Sequence, residues 1–278
     1  KGGTGKTTVS VNLAHVLAQN GNTIHYWDCD VEEPNGHLYF DIELQQDSVV
    51  HHLIPEVDEA RCTYCRQCEQ ICEFRAIMIL RDVLVINPEL CHACGGCALI
   101  CPEKAITEKG IPIGVIEAGK DRGVHYHRGL LNIGNVMSTP VIEELKHMIS
   151  RHEGDLHIID SPPGTSCPVI EAVKGADFVI LVAEPTPFGL HDLELSVDML
   201  KQMKLPMGVI LNKVDQPYSP MYRYLKGKGL PLLMEIPFDR ELARINSMGG
   251  LISQEFAGIR EQFLELLLKI EEEISCRK

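Results

Sequence analysis

Short, almost continuously apolar runs recur along most of the chain. They span positions 23–28, 156–160, 178–183, 207–212 and 232–236. Continuous apolar character, rather than strict alternation with polar residues, is typical of strands that are buried on both faces of a parallel sheet. The pattern therefore predicts a mostly parallel sheet assembled from distant parts of the chain.

Helical patterns lie between these runs. Val9, Leu13, Val16 and Leu17 are spaced for one buried face, and Asn20-Gly21 supplies a stop. Three further stretches have helical spacing, at 140–150, 191–203 and 240–247. Alternation of strands with helices predicts a doubly wound α/β fold, whose ligands bind at the carboxyl ends of the strands.

The last helical pattern has one apolar face, formed by Ile259, Phe263, Leu266, Leu267 and Ile270. Three glutamates follow at 271–273, and anionic lipid would repel them. We therefore expect a helix that packs on the body of the protein rather than a membrane anchor.

Composition and charge narrow the function classes. The 278 residues are 45% hydrophobic and 23% charged, as in ordinary globular proteins, and no apolar run approaches the roughly 18 residues of a membrane span. The net charge of −13 argues against direct binding of nucleic acid or of an anionic membrane. We expect a cytoplasmic protein whose partners are other proteins.

The chain opens on a glycine-rich stretch, "KGGTGKTT". Its glycines allow several backbone N–H groups to point into one concavity, Lys6 is placed to reach the β- and γ-phosphates, and Thr7 to hold Mg²⁺. The candidate nucleotide-binding residues are Gly2, Gly3, Thr4, Gly5, Lys6, Thr7 and Thr8. The plain alternative is a glycine-rich turn before an ordinary helix. A phosphate loop follows a strand, so we expect one strand upstream of residue 1.

Carboxylates follow two of the apolar runs. Asp28 and Asp30 end the first run, near where a magnesium-bound triphosphate and an attacking water would lie. Asp160 ends the second run, where a Walker B acid holds Mg²⁺, and Gly164 follows it closely. Each carboxylate alone fits a solvated strand end or a helix cap. Together with the glycine-rich loop they predict a magnesium and nucleotide site.

Eight of the eleven cysteines fall into two runs with C-x₂-C-x₂-C-x₃-C spacing, the signature of a ferredoxin with two 4Fe-4S clusters. The fourth cysteine of each run points away from the other three and ligates the other cluster. The predicted ligand sets are Cys62, Cys65, Cys68 and Cys101 for cluster 1, and Cys91, Cys94, Cys97 and Cys72 for cluster 2.

Cysteines in such numbers have two other common uses. Disulfides suit an oxidising compartment, which nothing else in the sequence indicates. Zinc prefers paired C-x₂-C groups around one tetrahedron, which would leave the remaining cysteines of each run unexplained. Iron–sulfur clusters explain all eight.

The ferredoxin segment is predicted to be an insertion at 59–111, within an ATPase domain formed by 1–58 and 112–278. Positions 61–109 carry six basic and six acidic residues, so the net charge belongs to the body. A short hairpin is expected around Arg81-Asp82, and a second short hairpin over 104–114.

Six further residues with thiol, imidazole or indole side chains lie outside these motifs: Cys29, Cys167, Cys276, His125, His127 and Trp27. The cysteines are either small packing residues or ligands of a transferable cluster. The two histidines alternate onto one strand face and are either packing residues or metal ligands. The tryptophan is expected in the core.

The motifs "KGGTGKT", "DCD" and "DSPPG", in this order, resemble the deviant Walker A P-loop ATPases of the MinD, ParA and nitrogenase iron-protein class. The two cysteine runs resemble the subgroup with an inserted dicluster ferredoxin. The resemblance covers essentially the whole chain. It implies a Mg²⁺-dependent ATPase, slow without its partner, that binds ATP or ADP in addition to the two clusters.

The same resemblance assigns roles to individual residues. Lys1 would cross a dimer to the partner's nucleotide, and Lys6 and Asp30 would complete the catalytic set. Thr7, Asp28 and Asp160 would act through the magnesium shell. Asn212 would read the adenine edge, and Pro237 would lie in the loop that packs on the base.

Two functions follow from this resemblance. The first is nucleotide-gated electron transfer, or metallocofactor or iron–sulfur maturation, for a redox or cofactor-assembly partner. The second is a positioning or partitioning switch, like MinD and ParA, with structural or redox-sensing clusters. In both, the ATP-bound form is a homodimer or a heterodimer with a paralogue.

Overall fold

The computed structural model describes residues 2–152 and 156–275 of the chain. The strands in this part are β1 (Ile24–Asp28), β2 (Gln45–Val57), β3 (Ile77–Leu80), β4 (Val83–Ile86), β5 (Ile106–Asp121), β6 (Val124–Leu131), β7 (Leu156–Asp160), β8 (Val179–Ala183), β9 (Met207–Val214) and β10 (Leu232–Pro237). The α-helices are α1 (Lys6–Gln19), α2 (Gln67–Ile71), α3 (Gly96–Ile100), α4 (Thr139–His147), α5 (Cys167–Val173), α6 (Pro187–Gln202), α7 (Ser219–Lys228), α8 (Arg240–Ser247), α9 (Ile252–Glu255) and α10 (Ala257–Ser275).

These strands form three sheets. The largest has the order β2-β5-β6-β1-β7, in which β6, β1 and β7 are parallel and β2 and β5 add an antiparallel extension. A second sheet has the parallel order β10-β9-β8, and β3 pairs with β4. The expected mostly parallel α/β architecture is confirmed, with an antiparallel part that the apolar runs did not indicate.

The five predicted strand runs correspond to β1, β7, β8, β9 and β10, and their bounds differ from prediction by at most two residues. The three predicted internal helices correspond to α4, α6 and α8. The hairpin around Arg81-Asp82 is confirmed as β3 and β4, with Arg81 in the left-handed conformation at φ 54°. Continuous apolar runs and tight turns therefore located these elements correctly.

The second expected hairpin, over 104–114, is wrong. Those residues enter β5, a single strand that pairs with all of β2, from Val57 opposite Ile106 to Gln45 opposite Ala118. Pro112 lies opposite His51, beside a register irregularity that accommodates the missing N–H. A partner strand about sixty residues away, rather than a local turn, decides the conformation here.

The antiparallel pair of β2 and β5, which we call the ribbon, extends from the body of the protein into the cysteine-rich segment. Position 58 directly follows β2, whereas position 111 lies inside β5. The predicted insertion therefore shares continuous strands with the large sheet. Its limits at 59 and 111 stay a prediction.

Edge strands β7 and β8 are only partly buried although they are apolar, whereas β1 and most of β9 are buried. Within the described part of the chain, β7 lies at the edge of the five-stranded sheet and β8 at the edge of the three-stranded sheet. The strand expected upstream of residue 1 stays a prediction.

Helix α10 packs its apolar face on the body, as expected. Phe263 and Leu266 are fully buried in a cluster that includes Val9 and Leu13 of α1 and Ile236 of β10. Trp27 is also fully buried, as expected. Among the described helices, none has the length and apolar character needed to span a bilayer.

A candidate nucleotide site and two cysteine-lined cavities

The glycine-rich loop leads directly into α1, and the end of β9 holds it in place. Gly5, the N-cap of α1, has φ 95°, and a side chain there would collide with Asn212. The Asn212 Nδ2 donates to the Thr4 carbonyl at 2.8 Å, and the Lys213 Nζ donates to the Gly3 carbonyl at 2.8 Å. The loop therefore approaches β9 more closely than any residue other than glycine allows.

Asn212 is occupied by protein groups in this structure. In addition to its bond to Thr4, its Oδ1 accepts from the backbone N–H of Lys213 at 2.9 Å. Pro237 is exposed at the end of the adjacent strand β10, opposite Val214. Both residues lie at the carboxyl edge of the sheet, and their contacts to adenine stay predictions.

The Thr8 side chain contacts α8. Its hydroxyl donates to the Asn246 Oδ1 at 2.9 Å, and the Tyr39 hydroxyl donates to the same oxygen at 3.0 Å. Gly2 is exposed, and Lys1 lies outside the described residues, as does Cys276. Nucleotide binding by Gly2 and Thr8, and the role of Lys1 across a dimer, stay predictions.

Asp28 and Asp160 lie side by side on the neighbouring strands β1 and β7. The Asp28 Oδ2 accepts from the Tyr126 hydroxyl at 2.8 Å and from the Gly36 N–H at 2.9 Å. Burial and the neighbouring Asp160 charge raise the pKa of Asp28 to about 7. Two adjacent buried carboxylates favour a proton or a cation between them.

Asp160 is also buried, and burial raises its pKa. Hydrogen bonds from Thr7 and Tyr26, the latter at 3.0 Å, oppose this rise. The structure thus brings together Thr7, Asp28 and Asp160, the three predicted magnesium ligands. Carboxylate and hydroxyl oxygens are the donors that Mg²⁺ prefers.

Asp30 is partly buried beside this group. Its N–H donates to the Asp28 Oδ1 at 3.3 Å. Burial raises the pKa of Asp30 to about 6, and the Lys6 charge opposes that rise. Lys6 also acts on Asp160. The predicted catalytic residues Lys6 and Asp30 therefore lie within electrostatic reach of one another and of the magnesium candidates.

Each predicted cluster ligand set lines its own cavity. The first cavity is lined by Cys62, Cys65, Cys68 and Cys101. The second is lined by Cys72, Cys91, Cys94 and Cys97. The chain thus brings the last cysteine of each run to the other run's cavity. Iron–sulfur ligation by these thiols stays a prediction.

The two cysteine runs share one backbone geometry. Left-handed residues recur at matching positions in both runs, as the pairs Tyr64 and Ala93, Arg66 and Gly95, and Arg75 and Lys104. Five of these six are not glycine, and such conformations cost on the order of 1–3 kcal/mol each. The repeated strain indicates that the thiol positions depend on these turns.

The donor set of the cavities fits iron–sulfur clusters. The last thiol of each run accepts a backbone N–H bond, from Ala76 to Cys72 at 3.2 Å and from Ala105 to Cys101 at 3.3 Å. Such bonds stabilise sulfur that carries negative charge. Burial raises the pKa of Cys97 to about 11, so this thiol is protonated near neutral pH, and a metal that binds it would have to displace the proton.

The ribbon forms part of the second cavity. Leu53 and Pro55 of β2 and Glu108 of β5 line it together with the cysteines. The buried His52 of β2 donates its Nε2–H to the Cys91 carbonyl at 2.8 Å. Movement of the ribbon would therefore reach the cysteine positions directly.

A model of the CobQ/CobB/MinD/ParA nucleotide binding domain matches residues 1–252. The chain belongs to this nucleotide-binding family. A septum site-determining protein MinD of Pyrococcus horikoshii, solved with Mg-ADP, has a TM-score of 0.58 at 20% sequence identity, covering 96% of this chain and 90% of that one. This likeness concerns the P-loop ATPase fold.

Relatives within and beyond this family carry several descriptions. An uncharacterized protein of Methanocaldococcus jannaschii is 30% identical over 278 residues, covering 98% of this chain and 94% of its own. An iron-sulfur cluster carrier protein of Pyrococcus horikoshii is 22% identical over 290 aligned residues, covering 97% and 82%. One component of an ion-translocating oxidoreductase complex of Methanosarcina acetivorans is 42% identical over 53 residues, 19% of this chain and 20% of its own.

Three residues that hold the candidate nucleotide site in place could not be picked out from the sequence motifs. Tyr26 and Tyr126 hold the two buried carboxylates, and Lys213 holds the loop. Tyr26 stands two residues before Asp28, on the same face of β1, which was an available signal. Tyr126 and Lys213 act over long sequence separations that leave no local pattern.

Proposed function

We propose that the chain is a Mg²⁺-dependent ATPase that holds two 4Fe-4S clusters and uses its nucleotide state to control electron transfer, or cofactor maturation, with a protein partner. The observation that carries this proposal is the partition of eight cysteines into two four-thiol cavities, beside a ribbon that continues into the sheet of the nucleotide site.

In the nucleotide half, the loop from Gly2 to Thr8 would bind the phosphates of ATP or ADP. Thr7, Asp28 and Asp160 would hold Mg²⁺, and Asp30 would orient the attacking water. Lys6 would neutralise charge on the transferring phosphoryl group, and Lys1 would do so across a dimer. The support is the convergence of Lys6, Asp30 and the buried acid pair.

In the cysteine-rich half, the two four-cysteine sets described above would each hold one cluster, and the clusters would supply one-electron transfer. The chain itself contributes the thiolates, the N–H bonds to Cys72 and Cys101, and an apolar wall that limits water. The raised thiol pKa values mean that cluster insertion displaces protons from buried cysteines.

A chain of contacts links the two halves. The Asp28 carboxylate accepts the N–H of Gly36, and the next residue, His37, accepts from Arg128 Nη1 at 3.1 Å. Arg128 also forms a largely buried ion pair with Glu117 of β5 at 2.6 Å. A change at Asp28 on nucleotide exchange would therefore be transmitted to the ribbon and to the second cavity.

The proposed partner is a redox or cofactor-assembly protein, and the proposed active form is a homodimer or a heterodimer with a paralogue. The relatives described as a cluster carrier and as a component of an oxidoreductase complex support this class of partner. No direct contact with nucleic acid or membrane is proposed, in keeping with the net charge of −13.

The test is anaerobic reduction of the cluster-loaded protein by dithionite, followed in the visible spectrum with MgATP, with MgADP and without nucleotide. We expect a several-fold dependence of the rate on nucleotide, its loss in Lys6→Gln, and its weakening in Arg128→Lys with ATP binding retained. Rates that ignore nucleotide in the wild-type protein would contradict the coupling and favour a positioning switch with structural clusters.

A further inference from the structure

A group of histidines lies on the face of the large sheet that also carries Trp27. His25 is the second residue of β1, His127 belongs to β6, and His152 follows the short helical turn Ile149–Arg151. One ring nitrogen from each of the three lies within 4.8 Å of the other two. His25 and His127 are buried and His152 is partly buried. Three imidazoles from separate elements thus converge on one point.

The spacing of the two buried rings suits a metal ion. The His25 Nδ1 and His127 Nε2 are 3.1 Å apart. Two nitrogens on one tetrahedral zinc ion are separated by about 3.3 Å, given Zn–N distances of about 2.0–2.1 Å. At most one proton lies between the two rings at present, and a metal ion would replace it without a large movement of either strand.

His127 is not fully satisfied by the protein. It is 7% exposed, and its Nδ1 is buried without a hydrogen-bond partner. An unpaired buried polar atom of this kind costs about 1–3 kcal/mol. The other nitrogen of this ring, Nε2, faces His25 and would be the ligand atom, so the cost at Nδ1 argues against a ring that is kept for packing alone.

Neighbouring side chains hold the three rings in position. The His157 Nδ1 accepts from the Trp27 indole at 3.0 Å, and its Nε2–H donates to the His152 carbonyl at 3.0 Å. This fixes the His157 tautomer and anchors the backbone of His152. Trp27 also stacks on His127, with ring centroids 4.1 Å apart. Supporting bonds and stacking of this kind surround protein metal sites.

The plain alternative is a stack of aromatic rings that only fills the core. Leucine or phenylalanine would fill that volume without an unpaired nitrogen, and stacking does not require ring nitrogens of three elements to face one another. His125, which the sequence paired with His127, instead stacks on His25 at 4.7 Å. The three proposed ligands also lie against one another, with the His25 and His152 centroids 4.0 Å apart, but packing alone does not require one nitrogen of each to converge on the others.

We propose that His25, His127 and His152 bind one borderline divalent transition-metal ion, of which Zn²⁺ is the probe. Imidazole donors suit zinc, nickel and copper rather than magnesium or calcium. Within the described residues no further His, Cys, Asp or Glu joins the three. The ion would connect β1, β6 and the segment that leads to β7.

The experiment measures zinc on cluster-loaded protein, with MgADP present so that the other metal-binding groups are occupied. Equilibrium dialysis against buffered zinc gives the affinity, and emission of Trp27, the single tryptophan, reports on the site. Wild-type protein is compared with His152→Ala and with His147→Ala, a matched control whose side chain on α4 is 77% exposed.

We expect about one zinc ion per wild-type chain, a change of Trp27 emission on binding, and at least a roughly tenfold loss of affinity in His152→Ala but not in His147→Ala. Zinc should also raise the melting temperature of wild-type protein and of His147→Ala only. Equal affinity in the two variants, or tight zinc binding that leaves Trp27 emission unchanged, would overturn the proposal.

Discussion

The nucleotide site and the cysteine-lined cavities are encoded in opposite ways. At the nucleotide site, Asp28 depends on Tyr126, 98 residues further along, and Thr4 depends on Asn212, 208 residues further along. In each cavity, three of the four thiols come from a run of seven residues, and only the fourth is distant. One site is a product of the whole fold, whereas the other is mostly a local motif.

The difference extends to the energetics. At the nucleotide site, the unfavourable free energy comes from two buried like charges, since Asp28 and Asp160 are each at most 3% exposed. At the cavities, the unfavourable free energy comes from backbone strain in left-handed residues such as Tyr64 and Arg66. In the proposed function a cation would relieve the first cost and metal–thiolate bonds would offset the second, so each half would depend on its own ligand.

The largest expected effect tests the crossed arrangement of the cysteines. Cys65→Ala with Cys101→Ala removes two thiols of the same cavity, so about four of about eight iron atoms should remain. Cys65→Ala with Cys72→Ala removes one thiol from each cavity and should leave almost no iron. Iron and acid-labile sulfide analysis after anaerobic reconstitution measures both, and the reverse result would show that each run holds its own cluster.

The next effect separates the two halves of the molecule. Lys6→Gln removes a charge-assisted bond to phosphate worth about 1.5–3 kcal/mol, so ATP affinity should fall roughly 10- to 150-fold. Iron content should not change, because no cluster cysteine depends on the glycine-rich loop. Calorimetric titration with MgATP measures the affinity, and loss of iron in this variant would refute the independence of the two sites.

A smaller effect concerns the buried acid pair without magnesium. The pKa of Asp28 rises from 3.8 unfolded to about 7 folded, so the folded state binds the proton more tightly. Stability of the magnesium-free protein should therefore fall as pH rises from about 4 to about 7, by up to about 4 kcal/mol. Asp28→Asn should flatten this dependence and raise stability at pH 7.5.

Anaerobic urea unfolding at pH 5 and pH 7.5 measures this dependence, with the exposed Asp177→Asn as the matched control. Magnesium with ADP should stabilise the wild-type protein and the control more than Asp28→Asn. An unchanged pH slope in Asp28→Asn would mean that the charge at this position does not govern stability.

The smallest effect concerns the support of the loop. Lys213 is half-exposed, and it bonds to the Gly3 carbonyl and to Glu184 at 2.7 Å. Exposed ion pairs contribute about 0–1 kcal/mol, so Lys213→Met should weaken ATP binding only about two- to fivefold. Lys201→Met, at an exposed site on α6, is the control. A loss as large as that of Lys6→Gln would place Lys213 in direct contact with nucleotide.

The same contrast explains what the sequence could and could not predict. The strands β1, β7, β8, β9 and β10 are apolar along their length, so local pattern located them. By contrast, β2 carries histidines and glutamines, and it exists because β5 pairs with it from across the cysteine-rich segment. Pairing between distant strands leaves no local signature, and the expected hairpin over 104–114 failed for this reason.

The site residues also divide into those that a local motif identifies and those that only the folded sheet brings into place. The glycine-rich loop, the acids at strand ends and the eight cysteines follow from type and spacing. Tyr126 and Arg128 acquire their roles only when β6 lies beside β1 and β5. Only one member of the histidine group, His127, is a candidate ligand in the sequence. His25 and His152 are brought next to it by the folding of the sheet.

The ribbon also determines where the cysteine-rich segment can be cut out of this chain and transferred to another protein. A gene fragment for 59–111 encodes all eight cysteines, yet it omits Leu53 and Pro55 from one cavity wall and cuts β5 at its middle. Crossover points that respect the strands lie before Gln45 and at the turn of Arg122 and Gly123. Grafts made there would carry all eight cysteines of the two cavities together with both strands of the ribbon.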